Sequence, residues 1–156
     1  MLKKITKEEA LKKSMNICAK QEKCKFDIKE KLFKLGLEKN NIFEIVEQLE
    51  KENFINEERY CKFYVRDKYK IAKWGRKKIE FSLKQKQIPD EIIQNSLSEI
   101  NQEIYIQVFE NEMIKKQNQI KTDDFAKQKS KLLNFAQSRG YEADLIFKII
   151  DKIIKK

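Results

Sequence analysis

The sequence predicts an all-α protein made of three tandem three-helix repeats that form an elongated, curved array. Two observations carry that expectation: an apolar pattern that occurs three times, and a composition poor in turn formers. The pattern first reads Ile28–Leu32–Gly36–Leu37–Ile42–Val46–Leu49. It returns 51 residues later as Ile79–Leu83–Gln87–Ile88–Ile93–Leu97–Ile100, and shifted by 104 from the first as Leu132–Ala136–Gly140–Tyr141–Ile146–Ile150–Ile153. Each copy holds an apolar pair at i, i+4, a break, one apolar residue, then an i, i+4, i+7 stripe. That spacing describes a helix, a tight turn and a second helix sharing one apolar face. A period near 50 residues that spans the chain marks a modular array rather than a fold built around one pocket. Three glycines and one proline leave few places for hairpins, while abundant Lys, Glu, Ile and Leu favour helix.

The units are expected at 1–53, 54–101 and 102–156. In the first, Thr6 with Glu9 forms a capping box, so a helix starts near Lys7 and carries Leu11, Met15 and Cys18 on one face. A second helix runs from Phe26 to Leu35 and stops at Gly36, a residue suited to the position past a helix end. Asn41 caps the third, with Glu44 at the box position and Ile42, Ile45, Val46 and Leu49 inward. Gly36 and Gly140 are both expected in the left-handed conformation that a β-carbon disfavours.

In the second unit Asn56 caps a helix whose first turn holds Glu57 and Glu58, complementing the helix dipole. That helix carries Tyr60, Phe63 and Tyr64, then Ile71, on one face. Lys73-Trp74-Gly75 interrupts, a further helix takes Lys77 to Lys86, and Pro89 sits in the first turn of the next. The third unit begins near Gln102 with a helix carrying Ile104, Tyr105, Val108, Phe109 and Met113. A polar stretch from Lys115 to Thr122 follows. Thr122 or Asp123 then caps a helix with Phe125, Leu132 and Phe135, and a last helix starts at Ala143. A unit of about 50 residues is marginal alone, burying only roughly 60% of the surface its unfolded chain exposes. No Ser/Gly/Pro-rich linker separates the units, so they are expected to abut and stack.

Composition narrows the function. No stretch approaches the roughly 20 apolar residues that span a bilayer, and MLKKITKEEALKKS lacks a signal-peptide core, so a cytoplasmic protein without a membrane partner is expected. The chain has no histidine, which removes the Ser-His and Cys-His pairs and the commonest general base. Cys18, Cys24 and Cys61 have no CxxC spacing and read as reduced, half-buried thiols on helices rather than zinc ligands. Gly36, Gly75 and Gly140 are isolated, so there is no glycine-rich phosphate loop. A protein that is not an enzyme, needs no metal or cofactor and is monomeric is the expectation.

Charge singles out the middle unit. Basic against acidic residues number thirteen to ten in 1–53, eleven to seven in 54–101 and eleven to eight in 102–156. From Arg59 to Lys86, however, eleven cations face only Asp67 and Glu80. The segment KYKIAKWGRKK, Lys68 to Lys78, has no acid and interleaves its cations with Tyr69 and Trp74. Such a patch suits phosphates or an acidic protein groove, with the aromatics stacking on bases or anchoring an interface. A solvated basic face, with Trp74 merely covering a helix junction, is the plainer alternative. The candidate binding residues are Arg59, Arg66, Lys68, Lys70, Lys73, Trp74, Arg76, Lys77, Lys78, Lys84 and Lys86. Gln85 and Gln87 alone do not make the base-reading face of a sequence-specific helix-turn-helix protein.

The segment from Phe54 to Pro89 resembles the central module of the RecX regulatory proteins. The matching residues are Glu57, Arg59, Tyr60, Tyr64-Val65, Lys68, Trp74-Gly75, Lys78-Ile79, Leu83, Lys86 and Ile88; Asn56 stands where an aspartate is common. Gln21-Glu22-Lys23-Cys24, Asp27-Ile28, Lys31-Leu32 and Gly36-Leu37 fit in the first unit, and Leu133, Arg139-Gly140-Tyr141 and Ile146 more loosely in the third. The resemblance implies three tandem three-helix modules. It also implies a regulator that binds RecA and RecA–single-stranded DNA filaments and inhibits their ATPase, strand exchange and growth, with weak nonspecific DNA binding. A stand-alone helical DNA-binding protein is the competing reading.

Overall fold

A computed structural model describes residues 4–154; residues 1–3 and 155–156, at the outer ends of the first and third expected units, lie outside that range. The described residues form nine helices and no strand. They are α1 (Lys7–Lys20), α2 (Lys25–Lys34), α3 (Lys39–Lys51), α4 (Glu57–Lys70), α5 (Arg76–Gln85), α6 (Asp90–Ser98), α7 (Gln102–Gln119), α8 (Phe125–Ser138) and α9 (Ala143–Ile153). The packing repeats with the sequence. In each triplet the second and third helices pair, as α2–α3, α5–α6 and α8–α9, and the first helix lies on the third, as α1–α3, α4–α6 and α7–α9.

Local chemistry explains most boundaries. Thr6 accepts from the Glu9 N–H, Asn56 from the Arg59 N–H and Asn101 from the Ile104 N–H, so each opens its unit with a satisfied donor. Three expectations are corrected. α3 starts at Lys39 after Glu38, which makes no side-chain cap bond, so Asn41 lies inside the helix. α7 continues through Lys115 to Gln119 because Met113 and the preceding aromatics anchor it. Asp124, not Thr122 or Asp123, caps α8, while the Thr122 hydroxyl accepts from the Asp124 N–H. Ile71 is no inner-face residue either: it follows the last turn of α4 and is 73% exposed.

The seven-position repeat is the buried framework. Of its members in the three copies, all the apolar residues are buried except Ile153, which is half-buried in the final turn of α9. The break has one backbone solution used three times. Gly36, Gln87 and Gly140 have φ of +86°, +59° and +84°. After each, the N–H of Leu37, Ile88 or Tyr141 reaches back to the carbonyl of Leu32, Leu83 or Ala136. This left-handed helix ending satisfies carbonyls that the helix leaves open. The glycine expectation is therefore borne out, and Gln87 adopts the same turn at the cost of a strained β-carbon.

Stacking is uneven. The second and third units share one core that includes Tyr60, Ile79, Leu83, Tyr105, Phe109, Leu132 and Tyr141, and α4 packs directly on α7. Tyr141 stacks on Phe109 with centroids 3.8 Å apart. The first unit keeps a separate core around Ile28, Leu32, Ile45 and Leu49, closed by Ile55 from the connection to α4. Phe54 packs there too. A fragment ending at residue 53 thus loses part of its core. It is expected to be largely unfolded, whereas a fragment ending at residue 56 gains cooperative helix; circular dichroism of both, with thermal melts, checks this.

Candidate functional site

The basic patch of the middle unit is built on two helices and the turn between them. On α4, Tyr60, Tyr64 and Lys68 are spaced i, i+4, i+8 and share one face. On α5, Lys78 and Ser82 lie one turn apart, and the Tyr64 and Ser82 hydroxyls hydrogen-bond across the pair. Between the helices Trp74 packs against the shared core while staying part-exposed. Cations and rings alternate along this face. Lys86 lies 5.9 Å from the Tyr60 ring and 6.0 Å from Tyr64. Lys68 lies 5.2 Å from Tyr64 and 4.7 Å from Trp74, and Lys78 lies 4.5 Å from Trp74. These are cation–π distances, so the ring faces hold the ammonium groups at the surface.

The turn is fastened by the third unit. Gly75 donates its N–H to the Arg139 carbonyl at 2.7 Å, and Lys77 donates to the Gly140 carbonyl at 3.0 Å. The α8–α9 turn therefore caps the N-terminus of α5, which has no side-chain cap of its own. Beyond this seam a second ring holds cations: Arg139 lies 4.8 Å from the Phe135 ring and Lys116 5.5 Å from it. Sequence reading missed Phe135, Arg139 and Lys116 as neighbours of the patch. The i, i+4 spacing of Phe135 and Arg139 was visible; the approach of the turn at Arg139 and Gly140 to α5 was not.

The eleven candidate residues separate into groups. Lys68, Trp74 and Lys78 form the ladder, with exposed Lys77 beside it. Arg66 and Lys70 are exposed but leave α4 on other faces, since two residues turn a helix by about 200°. Lys84 pairs with Glu80 at 2.9 Å on the exposed side of α5. The other four are fastened between units. Arg76 binds Glu142 at 2.9 Å and Gln102, and its guanidinium lies 4.2 Å from the Tyr105 ring. Lys73, at φ +61°, reaches Glu112 at 3.3 Å. Arg59 binds the Glu22 carboxylate at 2.6 Å, and Lys86 binds Asp27 at 2.6 Å. Trp74 covers the helix junction, as the plainer alternative has it, and stays part-exposed with Lys68 and Lys78 against its ring.

Burial sets the titration of the surroundings. Desolvation pushes Cys24 up to about 11 and Cys61 up to about 12, so both remain thiols and neither is a reactive thiolate. Both are wholly buried rather than half-buried. Burial alone raises the Asp27 carboxyl, but the Lys86 ammonium and the Cys24 thiol outweigh it and leave Asp27 below the usual range. Tyr105 is pushed far up by burial and by its hydrogen bond to Glu142, so it serves as a neutral donor to that carboxylate. Among the described residues no helix is long and apolar enough to cross a membrane.

Fold and surface together define a tandem helical-repeat protein with a cation–aromatic face on its middle unit. The RecX second three-helix domain matches residues 56–97, and the RecX third three-helix domain matches residues 103–150. The chain is 31% identical to the regulatory protein RecX of Clostridium beijerinckii, over 95% of this chain and 68% of that protein. It is 29% identical to that of Clostridium perfringens strain 13, over 97% of this chain and 74% of that protein. The crystal structure of RecX from Lactobacillus salivarius superposes with a TM-score of 0.79 at 22% identity, covering 94% of this chain and 96% of the other. A second RecX crystal structure gives a TM-score of 0.84 at 19% identity, covering 93% and 73%. The chain belongs to the RecX family of regulatory proteins.

Proposed function

We propose that this protein binds RecA and RecA–single-stranded DNA filaments and restrains the filament's ATPase, strand exchange and growth, acting as a cytoplasmic monomer. The observation that carries this reading is the cation–aromatic face from Lys86 through Lys68 and Trp74 to Lys78, in a chain of the RecX family. A filament on single-stranded DNA carries a line of phosphates along its axis, and clustered cations that reach them bind with favourable counterion release. Restraint needs no catalytic residue. Binding one filament conformation better than another shifts the population, and growth and hydrolysis slow together. The same face implies weak nonspecific DNA binding. Of the eleven candidates, Lys68, Trp74, Lys77 and Lys78 are the ones this reading assigns to partner contact.

Co-sedimentation with RecA, with and without single-stranded DNA and nucleotide, tests it. The expected result is co-sedimentation that is strongest with the nucleotide-bound filament, accompanied by a slower ATPase. Binding to bare DNA with no dependence on RecA would instead identify a stand-alone DNA-binding protein.

A further inference from the structure

The two boundaries between units are built differently. Between the second and third, a continuous core and backbone hydrogen bonds make one body. Between the first and second, among the described residues, no helix pair packs closely, and only Cys24 and Phe26 enter the neighbouring core. The joint is otherwise polar. Arg59 grips Glu22 with Nε, and its Nη2 donates to the Asn53 and Phe54 carbonyls at 3.1 and 3.4 Å. Lys86 grips Asp27. A cleft of about 710 Å³ lies beside these pairs, with Glu22, Asp27 and Glu30 on one wall and Tyr60, Tyr64 and Lys68 on the other.

Carboxylates of the first unit thus occupy cations that lie at the end of the basic ladder. A carboxylate and a phosphate oxygen make the same charge-assisted bonds to a guanidinium or an ammonium. We propose that the acidic edge of the first unit is an internal competitor for this face. Glu22 and Asp27 hold Arg59 and Lys86 in a closed state. Phosphates of a single-stranded DNA that take these two cations release the first unit, which pivots at the link following Ile55. Little apolar surface opposes the opening, whereas the second and third units stay joined. The coupling is reciprocal: whatever opens the joint strengthens anion binding, and anion binding opens the joint. The proposal rests on the basic face being the working surface, but its test needs no RecA and fails separately.

The experiment compares the parent, a Glu22→Gln/Asp27→Asn variant and a Glu47→Gln/Glu52→Gln control that removes the same charge from α3 and its C-cap. Affinity for a fluorescent oligothymidylate is read by anisotropy at low salt. The joint variant is expected to bind several-fold more tightly than the parent, and the control to match the parent. Equal gains in both variants, or none in either, overturn the proposal. Amide hydrogen exchange on the parent supplies a second readout that needs no variant. Adding oligothymidylate is expected to speed exchange at residues 21–24 and 53–56 while α5–α9 stay protected. Slowed or unchanged exchange at the joint means that the DNA binds the closed state, and overturns the proposal.

Discussion

Gly75→Val is expected to destabilise the protein by about 3 kcal/mol or more, the upper range for forcing atoms into a packed site. Gly75 has an ordinary φ of −82°, so the effect does not come from backbone strain at that residue. It comes from contact: a β-carbon there would stand 2.3 Å from the Gly140 carbonyl oxygen and 2.4 Å from the Tyr141 nitrogen. Both neighbours are backbone and cannot swing aside. Moving them breaks the bonds from Gly75 and Lys77 to the α8–α9 turn and separates the second unit from the third. Gly140→Val meets the same seam from the other side, 2.4 Å from the Lys78 β-carbon, and adds the left-handed penalty. Gly36→Ala is the contrast, because it has the same positive φ but nothing within 4 Å of an added β-carbon. It is expected to lose only about 1–2 kcal/mol. Urea unfolding of the three variants checks the order; a Gly36 variant as weak as the Gly75 variant would refute the seam.

Reversing charge at Lys68, Lys77 and Lys78 together is expected to weaken the proposed inhibition of RecA ATPase tenfold or more at low salt, with helical content unchanged. Each reversal removes an attraction and adds a repulsion towards a polyanion. The deficit should shrink in 1 M salt, where the Debye length is about 3 Å and the parent has already lost its long-range attraction. Lys73 and Arg76 look equivalent in sequence but are unsuitable for this test. Their partners Glu112 and Glu142 belong to the third unit, so reversal there would loosen the fold as well as the surface. Titrating ATPase inhibition with parent and variant at two salt concentrations decides the matter. Unchanged inhibition at low salt removes this face from the mechanism.

Fold class was legible because burial follows a local period. Ile28, Leu32, Ile42, Val46 and Leu49 state which side of two helices faces inward, and their two repeats state that the solution is used again. Side-chain caps at Thr6 and Asn56 are equally local, as is the left-handed turn at Gly36 and Gly140. The cap of α5 was not legible, because its hydrogen-bond partners are carbonyls of residues 139 and 140, more than sixty positions away. The extent of α7 was hidden for a related reason: its end is polar in sequence, and Met113 is buried in a core shared with helices distant in the chain, both earlier and later.

The surface divides along the same line. The sequence by itself determined the helical repeat, the concentration of cations between Arg59 and Lys86, and the aromatic residues among them, since all three are properties of composition and spacing. Only the tertiary structure decided which cations are free. Arg59, Lys73, Arg76 and Lys86 are spent on Glu22, Glu112, Glu142 and Asp27, each at least 37 residues away in the chain, while Lys68 and Lys78 are gathered onto Trp74. Coulomb attraction acts between charges near in space, and nothing in a residue's own neighbourhood along the chain records which carboxylate the fold will bring to it.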